Sequence, residues 1–320
     1  MTKTLRANLL LLLTAMIWGM GFVAQDVGMD YMGPLTFNAV RLLLAGLALL
    51  PCIRLLDRIY QKRAGRKALT LKTMTKEQKR RLILGGVLCG TVMTGGVAFQ
   101  QYGLLYSSPG KAGFITALYI VLVPLVGIFF KHRARYTVWI AVALCLAGLY
   151  FLSVTEALTI GFGDVLLIVG AVFFTGHILV IAHFSPQTDG VRMSCLQFFV
   201  AAGIFGLLTL LFEQPTPAAV LKGWVPIVYA GVISSGVGYT LQIVAQRDTA
   251  PAVASLLMSL ESVFAVLGQW VILGNLLTGR ELFGCGLMFA GIVLSQLPGK
   301  KQKENRSDRM ADGYTVIDSK

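Results

Sequence analysis

The sequence contains few charged residues for its length. Asp, Glu, Lys and Arg make up 13% of the 320 residues, whereas a soluble globular domain carries about 25%. Hydrophobic residues make up 56% of the chain, and the mean hydropathy is +0.72. Such a chain has too little polar surface to cover a water-exposed fold of this size. The composition therefore excludes a soluble globular protein and favours a membrane protein.

The sequence also lacks the motifs of common enzymes and metal sites. The five cysteines form no Cys-x-x-Cys pair, and no His-Glu-x-x-His, nucleophile elbow or phosphate-binding loop is present. Gly161-Phe162-Gly163-Asp164 matches the Gly-x-Gly-Asp of certain intramembrane aspartyl proteases, but no second intramembrane aspartate completes a dyad. Asp164 instead falls at a helix start, where an acidic residue is favoured. We therefore expect no enzymatic activity, no metal ion and no cofactor.

Apolar runs of membrane-crossing length alternate with short polar breaks. A bilayer core of roughly 30 Å requires about 20 helical residues. Ten segments reach or approach that length: Asn8–Ala24, Pro34–Ile53, Leu82–Leu105, Ala112–Phe130, Tyr136–Leu152, Val165–Ala182, Met193–Phe212, Trp224–Ala245, Ala252–Ile272 and Leu282–Leu297. Lipid cannot pair with backbone amides, and the alternation of a membrane barrel is missing. The predicted fold class is an all-α integral membrane protein with ten transmembrane helices.

The net charge of +13 is concentrated in a few connecting segments. Asp57–Arg81 alone holds ten Lys and Arg residues against two acids. With the N-terminus inside, 24 Lys and Arg residues lie on cytoplasmic segments, and only Lys111, Lys222 and Arg280 lie outside. The positive-inside rule therefore places both termini in the cytoplasm. These basic segments favour contact with anionic lipid headgroups, and we expect no binding of nucleic acid.

The two halves of the chain resemble one another. A shift of 141 residues places Gly90, Gly95 and Gln101 on Gly231, Gly236 and Gln242, and a second match places Leu144, Ala147 and Gly148 on Leu287, Ala290 and Gly291. An odd number of helices in each half inverts the second half relative to the first. We therefore predict a first five-helix repeat at 1–157, a second at 158–297 and a disordered cytoplasmic tail at 298–320.

Three groups of motifs are similar to those of a known family. They are Ala15-Met16-Ile17-Trp18-Gly19 with Pro34-x-x-Phe37-x-x-x-Arg41; Gln101-Tyr102-Gly103-Leu104 with Ser107-Ser108-Pro109-Gly110-Lys111-Ala112-Gly113-Phe114 and Leu122-Val123-Pro124; and Thr249-Ala250 with Leu260-Glu261-Ser262-Val263-Phe264-Ala265. Their order and spacing over residues 8–297 resemble EamA-type members of the drug/metabolite transporter superfamily. The resemblance implies two inverted five-helix repeats and the export or exchange of small metabolites.

Three ionisable residues fall within predicted spans, where a charged side chain costs a few kcal/mol. Glu261 lies about ten residues into the ninth span, close to the midplane. It is either a carboxylate that carries protons or pairs with a cation, or a packing partner of a nearby Ser or Gln. Arg41 either binds a substrate carboxylate or serves a structural role near the outer interface. His177 is either a proton relay or a hydrogen-bonded core residue.

A second set of candidates consists of polar and aromatic residues that could line a midplane cavity. They are Trp18, Asn38, Gln101, Tyr102, Tyr119, Tyr239, Gln242, Ser255 and Ser259. Transporter sites lie near the midplane between repeats, and aromatic rings there can hold cations or stack on substrates. We expect the first, third, fourth, sixth, eighth and ninth helices to line this cavity, with the fifth and tenth at the periphery.

The predicted function is a secondary membrane transporter of small metabolites, such as amino acids or related solutes. It would export by alternating access and would be proton-coupled if Glu261 titrates. Its partners are a small solute and the lipid bilayer of the cell membrane, and the sequence carries no signal for an oligomeric state. The alternative is an integral-membrane enzyme or receptor, which would need a catalytic constellation or an extramembrane ligand domain.

The charge distribution generates a test of topology. A single cysteine introduced near Lys72 in a cysteine-free variant should react with a membrane-impermeant thiol reagent only after the cells are opened, because the basic segment is predicted to be cytoplasmic. Labelling of that cysteine in intact cells would reject the predicted orientation.

Overall fold

The computed structural model describes residues 2–64, 73–107, 109–129, 134–153, 160–273 and 278–297, and over these ranges the chain forms helices, turns and no strand. The helices are α1 (Lys3–Met29), α2 (Pro34–Ala64), α3 (Lys76–Leu104), α4 (Pro109–Thr116), α5 (Tyr119–Phe129), α6 (Tyr136–Ser153), α7 (Phe162–Phe184), α8 (Gly190–Phe212), α9 (Pro217–Lys222), α10 (Trp224–Val228), α11 (Thr240–Gln246), α12 (Pro251–Met258), α13 (Glu261–Leu273) and α14 (Gly279–Gln296). A π-helical segment, Tyr229–Tyr239, joins α10 to α11. The all-α class is confirmed for this part of the chain, and the predicted tail at 298–320 lies outside the described residues.

Seven helices of the described chain are long and apolar enough to cross a membrane. They are Lys3–Met29, Pro34–Ile59, Lys76–Leu104, Lys111–Phe129, Phe162–Gln187, Gly190–Phe212 and Trp224–Gln246. Two further apolar helices, Tyr136–Leu152 and Pro251–Leu267, are shorter and correspond to the fifth and ninth predicted spans. The tenth predicted span corresponds to α14, which has 18 residues and carries Arg280 and Glu281 in its first turn.

The surface of the bundle is apolar while part of its interior is polar. Leu210 and Phe212 on α8 are 77% and 73% exposed. Asn38 on α2 and Gln197 on α8 are fully buried. This arrangement is the opposite of that in a soluble protein, and it places apolar side chains against lipid while polar groups meet one another inside.

Two of the predicted spans each contain a short irregular turn within the apolar helix. The fourth is interrupted at 117–118, between α4 and α5, and the ninth at 259–260, between α12 and α13. In the ninth, the Ser259 hydroxyl donates to the Leu256 carbonyl at 2.8 Å and so competes with the backbone ladder. In the fourth, Pro124 lacks an N–H group and weakens the turn that follows the break.

Charged side chains join α2 to α8 at both ends of this packed pair. At one end, Arg192 of α8 donates to Asp57 of α2 at 2.7 Å. At the other, the Glu213 carboxylate that follows α8 accepts the backbone N–H groups of Leu35 and Thr36 at 2.9 and 2.8 Å. The second contact satisfies free amides of the α2 N-terminus and favours the helix dipole. It also fixes the first turns of α2, from which Asn38 and Arg41 project.

The helices α6 and α14 pack together through two glycines. A Cβ atom on Gly284 would lie 2.7 Å from the Gly148 carbonyl oxygen, and one on Gly148 would lie 2.6 Å from the Gly284 carbonyl oxygen. Close helix contact of this kind is typical of small residues in membranes. Only glycine allows the two backbones to approach so closely at this crossing.

The crossing of α6 and α14 predicts the effect of two alanine substitutions on one helix. Gly284→Ala should destabilise the protein by about 1–3 kcal/mol, because the new methyl group meets backbone that cannot move aside. Gly286→Ala is the matched control, since a Cβ at Gly286 meets nothing within 4 Å, and it should be neutral or slightly stabilising. Thermal unfolding in detergent measures both, and equal melting temperatures for the two variants would contradict the packing.

Candidate functional site

A cavity lies at the centre of the bundle. Its lining consists of fifteen residues: Trp18, Phe22, Gln25, Arg41, Gln100, Thr116, Tyr119, Phe174, His177, Ile178, Ser234, Tyr239, Gln242, Met258 and Glu261. About 50 Å³ of it is open to the centre of a water molecule, which is room for a few waters at roughly 10–15 Å³ each. A solute of several heavy atoms therefore needs this space to widen.

The lining comes from most of the bundle. Each of the first, third, fourth, sixth, eighth and ninth predicted helices contributes residues to it, and α6 and α14 contribute none. Arg41 adds α2, which was not among the helices expected there. Seven of the twelve candidate residues from the sequence line the cavity: Trp18, Arg41, Tyr119, His177, Tyr239, Gln242 and Glu261.

The other five candidates, Asn38, Gln101, Tyr102, Ser255 and Ser259, lie outside the lining. Ser255 and Ser259 donate to carbonyls of their own helix, three residues earlier. Gln101 is buried and donates to the Gln25 carbonyl at 3.4 Å, whereas its neighbour Gln100 faces the cavity. Successive residues of a helix differ by about 100°, so a neighbour in sequence faces elsewhere.

Eight lining residues were not among the candidates: Phe22, Gln25, Gln100, Thr116, Phe174, Ile178, Ser234 and Met258. For some of them, helical spacing from a candidate residue indicates a position on the same face of the helix. Phe22 and Gln25 follow Trp18 by four and seven residues, which places all three on one face of α1. Phe174 precedes His177 by three residues and Ile178 by four, so it shares a face of α7 with each of them.

One wall of the cavity is aromatic. The Trp18 indole nitrogen donates to the Ser234 carbonyl at 3.0 Å, so the ring of α1 is fixed on the π-helical segment. The rings of Trp18 and Tyr239 have centroids 4.7 Å apart. Their tilted arrangement, with an interplanar angle of 53°, is a favourable aromatic contact on the cavity lining.

His177 lies next to the aromatic wall, and its ring forms a hydrogen bond with Gln197. Its Nε2 lies 3.0 Å from the Gln197 amide oxygen, and its ring centroid lies 5.7 Å from that of Tyr239. Because the Gln197 oxygen accepts, Nε2 carries the hydrogen and Nδ1 is an acceptor. The ring is therefore fixed in orientation within the buried part of the bundle.

Glu261 brings a carboxyl group into the cavity at a helix break. It is the first residue of α13 and is 5% exposed. The Tyr119 hydroxyl, on the first residue of α5, donates to its Oε1 at 3.4 Å, a long contact. No Lys, Arg or His of the described chain lies within ion-pair distance, so neither Arg41 nor His177 pairs with it.

Arg41 brings a guanidinium group into the same cavity and is 3% exposed. Its Nε donates to the Asn38 amide oxygen at 2.8 Å, and the group lies 5.4 Å from the centroid of the Phe37 ring. In the part of the chain that the structure describes, no carboxylate lies within 4.0 Å of it. Besides His177, the cavity thus contains one acidic and one basic side chain, and these two do not form an ion pair.

Two amide oxygens in the lining have no hydrogen-bond partner among the described residues. They belong to Gln25 and Gln242. A buried acceptor without a partner costs about 1–3 kcal/mol, so a donor that reached either oxygen as the cavity widens would be stabilised there.

Asp164 lies away from the cavity and has a structural environment. It accepts Lys111 Nζ at 2.6 Å and the Gly161 backbone N–H at 2.8 Å, at the start of α7. This is the helix-start role expected from the sequence. In the residues described by the structure, no group of three or more His, Cys, Asp or Glu side chains is placed to hold a metal ion.

Comparison with known proteins assigns relatives to nearly the whole chain. A model of the EamA-like transporter family matches residues 5–154 and again residues 161–297. The chain is similar to an uncharacterized transporter of Archaeoglobus fulgidus (29% identity, 92% of this chain and 87% of the relative) and to the uncharacterized transporter YwfM of Bacillus subtilis (27%, 95% and 98%). It is also similar to the uncharacterized inner membrane transporter YedA of Escherichia coli (22%, 88% and 87%). One crystal structure of a protein shares the fold, with a TM-score of 0.72 at 17% identity over 91% of this chain and 96% of that chain.

The cavity lining predicts different reactivity for two neighbouring serines. Ser234 lines the cavity, whereas Ser235 is fully buried outside it. In a variant without the five native cysteines, Ser234→Cys should react with a small water-soluble thiol reagent whenever the cavity widens, because position 234 lines it. Ser235→Cys is the control and should react at least about tenfold more slowly. Faster reaction at position 235 would contradict the lining described here.

Proposed function

This chain belongs to the EamA-like transporter family, and we propose that it exports small metabolites, amino acids or related solutes among them, by alternating access. The chain is a multi-pass membrane protein whose relatives are named transporters. One observation carries the proposal: the central cavity collects charged, amide and aromatic side chains inside an otherwise apolar bundle. Polar groups at membrane depth are costly and mark pathways for solutes or ions.

Two inverted five-helix repeats, at 1–157 and 158–297, are part of the proposal. Three observations support them: the family model matches twice in succession, the fourth and ninth spans are both broken near their middle, and α6 and α14 pack along one another. The ten proposed spans are the seven long helices, the two shorter apolar helices and α14. With the basic segments inside, both termini are cytoplasmic.

The helix breaks supply the mobile elements of this mechanism. Tyr119 begins α5 and Glu261 begins α13, and the two side chains meet across the cavity. Discontinuous helices at the midplane are typical of secondary transporters built from inverted repeats. Bending at the breaks, together with rocking of one repeat against the other, would widen the narrow cavity toward one side at a time.

Coupling to protons is assigned to Glu261. An unpaired carboxylate at membrane depth costs about 2.5–3.5 kcal/mol on insertion scales, and no cation of the described chain offsets that cost at Glu261. Protonation removes the charge and the cost. A carboxyl group that gains its proton when the cavity faces one side and loses it on the other would couple transport to the proton gradient.

If Glu261 couples transport to protons, its substitution should abolish pH-driven accumulation of a solute without stopping exchange of that solute. Glu261→Gln should fold normally, because an amide keeps the shape and hydrogen bonding of the carboxyl group. It should abolish pH-driven accumulation in proteoliposomes, tested with a panel of amino acids, purines and amines, while exchange of the same solute continues. The control is Glu281→Gln at the start of α14, where glutamine can still serve the capping box and the cavity is not touched. Full pH-driven transport by a well-folded Glu261→Gln protein would end the coupling hypothesis.

A further inference from the structure

Arg41 is a deeply buried cation with no anionic partner in the described chain, in contrast to Arg192 and Lys111. Arg192 binds Asp57 and Asp189, and Lys111 binds Asp164. Arg41 is more deeply buried than Arg192 and lies in the cavity wall, yet it binds only a neutral amide and a ring face. A buried charge that lacks a counter-charge is unfavourable, and neutral contacts offset only part of its desolvation. A negatively charged group of a ligand would therefore be stabilised beside Arg41.

The contacts of Arg41 also define which part of it is available. Asn38 lies one turn before Arg41 on α2 and accepts the Nε hydrogen at 2.8 Å, while the guanidinium carbon lies over the Phe37 ring, 5.4 Å from its centroid. The two terminal nitrogens make no hydrogen bond to any described residue. Their parallel N–H groups match the two oxygens of a carboxylate in a planar, bidentate arrangement. A guanidinium fixed by Asn38 would lose little freedom when such an anion binds.

The rest of the lining favours a carboxylate whose other end donates hydrogen bonds. The acceptors Glu261, Gln25 and Gln242 stand in the same cavity, and the amide oxygens of the two glutamines have no partner in the described chain. A multiply charged anion would meet the Glu261 carboxyl group unfavourably, whereas a solute with a single carboxylate and an amine or similar donor satisfies both ends.

We propose that Arg41 selects solutes bearing a carboxylate, binding that group through its terminal nitrogens, and that Asn38 is the positioning residue that orients it. This inference rests on the proposed transport function for its biological meaning, because it names the chemical class of the solute at that same cavity. It does not depend on proton coupling through Glu261.

Binding by purified protein in detergent tests the inference without requiring transport. The probes are matched sets built on alanine, leucine, phenylalanine and tryptophan, each comprising the amino acid, the acid that lacks its amine and the amine that lacks its carboxylate. Ligand-induced thermal stabilisation gives the apparent affinities. In the wild-type protein, at least one set should show binding of the carboxylate-bearing members. In Arg41→Gln, the apparent affinity for the carboxylate-bearing members should fall at least about tenfold, and the apparent affinity for the amine should stay within about twofold of wild type.

Further variants separate recognition from folding. Arg41→Lys keeps the charge but loses the bidentate geometry, so carboxylate binding should be intermediate. Asn38→Asp places an anion where the amide oxygen already contacts Nε, and it should reduce carboxylate binding at least about tenfold by neutralising Arg41. Arg192→Gln is the matched control: it removes a paired cation outside the cavity, and it should lower the melting temperature without changing the preference for acids over amines.

Three results would overturn the inference: no carboxylate of any set binds the wild-type protein, folded Arg41→Gln binds carboxylates as tightly as wild type, or folded Asn38→Asp does so. The melting temperature of unliganded Arg41→Gln adds an independent check, since removal of an unpaired buried charge should leave it unchanged or raised. A marked loss of stability would indicate a structural arginine instead. Arg41-dependent binding without any solute flux would refute the transport function alone, and flux of solutes without a carboxylate would refute the selectivity alone.

Discussion

Lipid forms no hydrogen bonds, so the polar groups of this bundle depend on the protein itself or on internal space for their partners. Most of the arrangement follows from this constraint. Large apolar side chains cover the outside of the bundle, and polar side chains turn inward. The carboxylate of Glu213 accepts hydrogen bonds from free backbone amides at the N-terminus of α2, and Asp57 pairs with Arg192 at the opposite end of the same helix pair. Among the buried side chains with an atom that has no partner in the described chain, Gln25 and Gln242 line the central cavity.

The absence of hydrogen-bond partners in lipid also explains where the two helix breaks lie. A break in a membrane helix leaves backbone groups without their usual partners, and it is tolerated where the chain is buried or lines a cavity. Both breaks bring their first new residue, Tyr119 or Glu261, to the central space. The carboxyl group thus lies at a point where the backbone can bend. Movement of the helix and a change in the charge state of Glu261 would act on the same contact.

The two charges of the cavity have different surroundings, which gives them different roles. Arg41 stands on a helix fixed at both ends, and its guanidinium is oriented by Asn38. Glu261 stands at a break and has one long hydrogen bond to Tyr119. A fixed cation suits recognition of a ligand, because little order is lost when the ligand binds. A loosely held carboxyl group suits exchange of a proton, because neither charge state is stabilised by a strong partner.

The sequence by itself determined the helical class, the apolar spans, the charge distribution and the presence of Glu261, Arg41 and His177 at membrane depth, because hydropathy and buried charge depend on local composition. Similar motifs also indicated the family.

Only the tertiary structure decided which faces of the helices pack against one another. It placed Gln100 in the cavity and Gln101 outside it, and it left Arg41 and Glu261 unpaired although both line one space. It also revealed irregular turns in two apolar spans, which hydropathy does not indicate because it contains no information on backbone hydrogen bonding. These features depend on how helices rotate and pack against one another, and contacts between residues more than 100 positions apart, such as that of Tyr119 with Glu261, are not encoded in local pattern.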